Sequence, residues 1–410
     1  MRAIRPSTTR PGIPTVSGAP SPHRSPVLLE DFLADLHWPR LLGAWQLALA
    51  PGRVLICFGL LVGLALLDRL YALAAGWVGN RFEGSPLLGV FGELGGELLA
   101  LLRNAGPVGG LTWYAAGTNA YELFIGVPLR VLGAHWPLML LVVPLVVVAF
   151  AITAGAVCRS VAMQVSLGAT LPWRSASRFG FGRALSLSAA LAGPVLLIWL
   201  IGAITAGVGH LLFAWNVTSV VAAVGFGLFM VVGLALAVLS LGYVLASPLI
   251  IPAFACEGTD TFDAVQRGYS YALARPGRLV AYYLLGGAIV VVGALVAGLV
   301  VFVAGVFVQR LTGAPMDALA TVEQMERAPR ASVWIINLWL AVPIGVLAAY
   351  LLSLVLTVST MVYLIMRRVV DGQDVGELWV PSPEVPGVGE PAVAEVVATE
   401  VVVPEKADYT

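Results

Sequence analysis

The chain has 410 residues, 59% of them hydrophobic and 11% charged, against about 45–50% and about 25% in ordinary soluble domains. Its 23 basic and 23 acidic residues cancel, so no bulk attraction to nucleic acid is implied. Residues 184–256 hold no Asp, Glu, Lys or Arg over 73 positions, several times the ~20 that a helical span needs, which excludes a water-soluble fold.

In chain order, residues 1–26 are rich in Ser, Thr, Pro and Arg, lack the apolar core of a secretory signal and read as a disordered tail. Residues 27–53 read as an interfacial helix on the cytoplasmic side. A membrane domain follows over 54–372, with apolar runs at 54–77, 134–156, 185–209, 219–245, 279–308 and 335–366. Continuous rather than alternating apolar runs predict helices, because lipid cannot satisfy an unpaired backbone. The predicted class is therefore all-α, a polytopic bundle of six spans. The first outer loop, 79–133, contains an amphipathic stretch at 87–102 with Glu93 and Glu97 on one side, an interfacial or re-entrant helix. Residues 373–410 form a cytoplasmic segment, largely disordered after 380.

Arginine sets the orientation. With both termini in the cytoplasm, the inner segments hold sixteen basic residues and the outer ones six, with Arg69 inside a span, as the positive-inside bias requires. Trp77, Trp136, Trp215 and Trp334 fall at outer ends, Trp45 and Trp173 near inner ones. The basic residues are 22 Arg and one Lys, Lys406, which with abundant Ala, Gly, Val and Pro points to a GC-rich bacterial genome and so to the inner membrane.

The cytoplasmic segments resemble one another. Even-numbered spans are followed by Gly168 and Thr170, Gly258 and Asp260, or Gly372 and Asp374, and then by Trp173, Phe262 or Trp379. Asp260 and Asp263 have capping-box spacing. Pro51-Gly52-Arg53 and Pro276-Gly277-Arg278 match residue for residue before two odd-numbered spans. Two readings stand: three copies of a surface helix plus hairpin, or convergence, since every loop returning to a bilayer needs a cap, a turn and an arginine.

Asp68 and Arg69 are the charged residues well inside a span, where one ionised group costs ~2.5–3.5 kcal/mol on insertion scales. They form either an intramembrane polar site or a pair that snorkels outward and bonds its neighbours. Arg178 and Arg267 stand five residues after Trp173 and Phe262, placed to meet lipid phosphates, with Glu257 as an acid that either arginine can pair. Gly59 and Gly63 make a GxxxG pair suited to close helix approach. Cys57, Cys158 and Cys256 form no CxxC pair, and His23, His37, His135 and His210 have no zinc-like spacing. No catalytic, cofactor or metal motif is expected.

Glu257, Gly258, Ala264, Arg267, Tyr269 and Ala272, leading into a new span, resemble a recurring feature of bacterial multi-pass membrane proteins similar to the membrane domain attached to some glycerophosphoryl diester phosphodiesterases. The resemblance covers the middle third of the chain. In that family hydrolysis belongs to a separate soluble barrel, so the resemblance implies a membrane module and carries no catalytic residue. The expected function is a non-enzymatic inner-membrane component that engages lipid, above all anionic lipid, or a membrane-protein partner. The alternative is a small-solute or ion transporter or channel.

Overall fold

In a computed structural model of the chain, the described residues are 39–77, 85–104, 110–316, 319–374 and 376–379. The expected tails, 1–26 and beyond 380, and the first part of the expected interfacial helix lie outside them. Two short helices, α1 (Pro39–Leu42) and α2 (Ala44–Ala48), lead into α3 (Pro51–Trp77). The long connection that follows holds α4 (Pro86–Asn104), α5 (Gly110–Tyr121), a π-helical turn (Glu122–Gly126), α6 (Val127–Ala134) and a second π turn (Leu138–Val142), which runs into α7 (Val143–Leu167). Then come α8 (Trp173–Gly182), α9 (Ala184–Phe213), α10 (Asn216–Val224), α11 (Phe226–Glu257), α12 (Thr261–Ala274), α13 (Pro276–Thr312), α14 (Val322–Arg327) and α15 (Arg330–Asp371). No strand occurs among the described residues. Six helices, α3, α7, α9, α11, α13 and α15, are long and apolar enough to cross a bilayer.

Several helices outrun their apolar limits. The run at 219–245 gives way to prolines, yet α11 continues through Pro248 and Pro252 to Glu257. Proline removes an amide donor and crowds the preceding turn, but Leu249, Ala253, Phe254 and Cys256 on this stretch are fully buried, so packing outweighs the lost bond. Helix α7 likewise passes the expected end at 156, carrying Arg159 inside it at 3% exposure.

The even-numbered spans α7, α11 and α15 touch one another and make the centre. Around them, α3 lies against α7 and α15, α9 against α7 and α11, and α13 against α15. The Tyr283 hydroxyl of α13 also donates to the Leu245 carbonyl of α11 at 2.7 Å. The faces of α9, α11 and α13 turned away from this centre are lined by exposed residues such as Leu200, Leu234 and Val300, the surface that lipid covers.

Each short helix at the arginine-rich end packs on an even-numbered span: α8 on α7, α12 on α11, and α2 on α15. Small residues permit it. An added Cβ at Gly180 of α8 would stand 2.3 Å from the Ile152 carbonyl oxygen, and one at Gly268 of α12 would stand 2.9 Å from Ile250 Cγ1. In α2, Ala44 and Ala48 are fully buried and the Ala48 carbonyl accepts from the Ser353 hydroxyl at 2.9 Å. At this same end α7, α11 and α15 stop at Gly168, Gly258 and Gly372, with φ of 68, 63 and 69°, the left-handed cap that glycine adopts without steric cost. By contrast, Gly59 and Gly63 are not at a helix contact, since a side chain at either would meet nothing within 4 Å. Asp260 stands at the start of α12 but makes no side-chain capping bond; the capping box that does form is Thr321 with Gln324, at α14.

Replacing Gly180 by Ala sets a Cβ against backbone that cannot yield, and overpacking of this kind costs ~1–3 kcal/mol. Gly180→Ala should therefore lower the thermal midpoint in detergent by several degrees. Gly182→Ala, where a Cβ meets nothing within 4 Å, should leave it unchanged or raise it slightly.

Candidate functional site

The two intramembrane charges do not face each other. Asp68 is 7% exposed, and its carboxylate accepts the Leu87 amide at 2.9 Å. Leu87 lies in the first turn of α4, where free amides and the positive end of the helix dipole welcome an anion. The Ser85 hydroxyl accepts the next amide, that of Leu88, at 3.2 Å. Asp68 thus caps, across space, the helix that begins the outer connection. Arg69, the next residue of α3, is exposed. Beneath the cap, Leu87, Val127, Val131, Leu138, Val142 and Val146 form a buried apolar cluster that ties α4 and α6 to α7. Farther along, the Asn119 side-chain amide donates to Glu97 at 2.7 Å and Asn104 donates to Asn119 at 2.9 Å, while Arg130 pairs with Glu122.

The opposite, arginine-rich end gathers far more polar chemistry. Glu257, the last residue of α11, pairs with Arg267 of α12 and accepts from the Tyr363 hydroxyl of α15. The Tyr271 ring lies 5.6 Å from that of Tyr363, and its hydroxyl donates to Asp371. Burial works against the charge on Arg267, but Glu257 together with Tyr363 and Tyr271 outweighs it and holds its pKa above the usual arginine value. Burial, followed by the bond to Asp371, pushes the Tyr271 phenol well above the ordinary tyrosine range. Both stay in their protonated forms at any physiological pH. Arg178, one turn from the end of α8, is exposed.

Three arginines at this end are almost completely buried: Arg53, Arg159 and Arg367, at 2, 3 and 2% exposure. None makes a salt bridge to a carboxylate among the described residues. Arg53, at the start of α3, donates Nε to the Ser160 hydroxyl and Nη2 to the Ser160 carbonyl, both at 3.1 Å, and also reaches Gln164 and the Leu47 carbonyl. Arg159 donates to the Ala255 carbonyl at 2.9 Å and the Trp379 carbonyl at 2.8 Å. Arg367 donates to the Asp374 carbonyl at 2.9 Å and to that of Glu377. A guanidinium, planar with five donors, can meet several carbonyls at once where an ammonium cannot.

The stretch after α15, residues 372–374 and 376–379, is thereby strapped back over the ends of the central helices. The Trp379 amide donates to the Cys256 carbonyl at 3.1 Å. Its indole meets two cations, with the Arg159 and Arg183 guanidinium carbons 5.5 and 5.7 Å from the ring centroid. Arg159 also faces Phe179 at 5.5 Å, and Arg183 faces Phe254 at 5.7 Å. A Cβ at Gly258 would stand 2.4 Å from the indole, so that glycine provides both the left-handed cap and the seat for Trp379.

Sequence reasoning counted Arg159 and Arg367 only as topology markers, and it took Arg53 and Arg183 as membrane-edge arginines and Trp379 as an aromatic of the repeated cytoplasmic segments. The signal that could have found them was Arg159 itself, nine residues before Gly168, too far inside α7 to be a surface charge. Among the described residues no group of three His, Cys, Asp or Glu could hold a metal ion, and Cys57, Cys158 and Cys256 are buried free thiols. No family model, curated protein or solved structure matches the chain.

If Asp68 serves as a cap, Asp68→Ala should cost ~0.5–2 kcal/mol, the usual loss of a capping side chain. Asp68→Asn keeps an acceptor oxygen and should recover at least half of the stability. Thermal unfolding of both variants in detergent decides the matter, and an Asn variant as weak as the Ala variant would show that the charge, not the acceptor, is what counts.

Proposed function

We propose that the protein is a non-enzymatic component of the bacterial inner membrane that engages anionic lipid headgroups, or a membrane protein carrying equivalent charge, through its arginine-rich end. In this reading both termini and helices α2, α8 and α12 lie on the cytoplasmic side. The observation that carries it is the exposed stripe of α8. Arg174 and Arg178 are four residues apart and Phe181 three further on, a spacing that puts all three on one helix face. Phe181 is 68% and neighbouring Trp173 45% exposed, which is costly in water and natural at the boundary between headgroups and acyl chains. The surface helices α8, α12 and α2, each seated on an even-numbered span, also support three copies of one hairpin unit, as their glycine and aromatic spacing indicates.

The alternative transporter reading rests on the repeated hairpins and on Asp68. With its carboxylate engaged by the Leu87 amide, Asp68 is already accounted for as a cap, and the lipid reading stands ahead of it.

Attraction of a basic residue to an anionic leaflet is worth ~1 kcal/mol, so removing two should weaken anionic-lipid binding ~30-fold. Native mass spectrometry of the full chain, titrated with phosphatidylglycerol or phosphatidylcholine, should show a preference for the anionic lipid that Arg174→Gln with Arg178→Gln abolishes. Equal affinity for the two lipids, or no loss in the double variant, would remove the basis for the reading.

A further inference from the structure

We propose that Arg159, Arg183 and Arg367 form a binding site for a phosphate-bearing anion, occupied in this structure by the chain's own strap, residues 372–374 and 376–379, which acts as an internal competitor. The inference deepens the reading of the preceding subsection and rests on it for the lipid form of the ligand.

Positive charge is in excess around the strap. Arg159 and Arg183 both lie over one indole, 5.5 and 5.7 Å from its centroid, and Arg367 is joined to the same strap two residues earlier through the Glu377 carbonyl. Of the acids nearby, Glu377 is exposed on the surface of the strap and three others are engaged. Glu257 holds Arg267 and Tyr363, Asp371 holds Tyr271, and Asp374 faces Arg368 at 4.0 Å. What these three arginines meet is neutral oxygen: the carbonyls of Ala255, Gly258, Asp374, Glu377 and Trp379. Carbonyls at the end of α11 carry part of the negative end of its dipole, about half a charge. That leaves a net positive site, and a buried cation is stabilised far better by an anion than by neutral acceptors.

A second, independent observation points the same way. Arg367 is 2% exposed, yet its Nε has no hydrogen-bond partner among the described residues. The strap therefore satisfies this guanidinium only in part, using one Nη, whereas a phosphate offers oxygens to Nε and Nη together. The manner in which the strap is held also suits displacement. Its hydrogen bonds to Arg159 and Arg367 run through main-chain carbonyls, the groups that a phosphate oxygen replaces one for one, and Arg183 meets it only through the Trp379 ring. Trp379 remains 37% exposed and is held by cation–π attraction, so it can leave without uncovering an apolar core.

The test uses the full chain in phosphatidylcholine nanodiscs and follows the rate at which chymotrypsin removes the tail after Trp379. Two probes are added separately: inorganic phosphate in solution, and phosphatidylglycerol in the disc. Either should release the strap and raise cleavage about tenfold, the scale expected when two cation–π interactions break together. A response to inorganic phosphate identifies a soluble phosphate ligand; a response to phosphatidylglycerol alone identifies a lipid headgroup. Trp379→Ala should bind the effective probe about tenfold more tightly by native mass spectrometry. Arg183→Gln, at a half-buried position that the fold tolerates, should reduce the response severalfold. Arg174→Gln with Arg178→Gln should leave it intact, so the strap can respond even if the α8 stripe proves not to bind lipid. Cleavage unchanged by both probes, or equal probe affinity in Trp379→Ala and the unaltered chain, would overturn the proposal.

Discussion

Buried guanidinium charge with no carboxylate partner among the described residues is the constraint on which the arginine-rich end depends. Removing a cation from water costs several kcal/mol even after relaxation, so most of its donors must be met, and Arg367 Nε is the exception among the described residues. Arg53 is met by Ser160 and Gln164 of α7 together with the carbonyl of Leu47 from α2. Arg159 is met by the end of α11 and by the strap, and Arg367 by the strap alone. Each arginine therefore fixes the relative height of two or three elements, and sliding a helix by one turn would strand its charge. The glycine caps at 168, 258 and 372 turn the chain sharply at this end, and the one at 258 also leaves room for the Trp379 ring that meets Arg159 and Arg183.

The other end of the bundle works by different means. There the connection between α3 and α7 folds against α3 and α7 through an apolar cluster, with a single carboxylate, Asp68, fixing the start of α4. The π turns at 122–126 and 138–142 bracket α6. The first brings the Phe124 carbonyl to the Trp199 indole N–H at 2.6 Å and the Phe124 ring edge-on to Tyr243 at 6.0 Å. The connection is thereby packed onto α9 and α11 as well as onto its own hairpin.

How much of this was legible in the sequence follows from the kind of signal each feature leaves. Six spans follow from apolar run length, a property of whole segments. Their ends do not, because run length cannot register burial that carries a helix through Pro248 and Pro252 or past Arg159. A charge count treats Arg53, Arg159 and Arg367 as surface markers, since only the folded chain shows which carbonyls converge on them. Glycine spacing was informative at 168, 258 and 372, where the backbone needs it, and uninformative at 59 and 63, where nothing approaches. Glu257 and Arg267 were legible as neighbours because both lie within one short segment. Tyr271, Tyr363 and Trp379 belong to the same end but are brought there by α12, α15 and the strap, separations over which sequence pattern carries no information.

Helix ends, surface helices and strap converge on one conclusion: the arginine-rich end is a built, charged surface whose last piece is the chain's own residues 372–374 and 376–379. Hydrogen exchange in lipid nanodiscs tests this most directly, through the Trp379 amide that donates to the Cys256 carbonyl. Protection of that amide in the unaltered chain, lost in Arg159→Gln, is the result the account predicts. Exchange at the rate of a free peptide in the unaltered chain would contradict it.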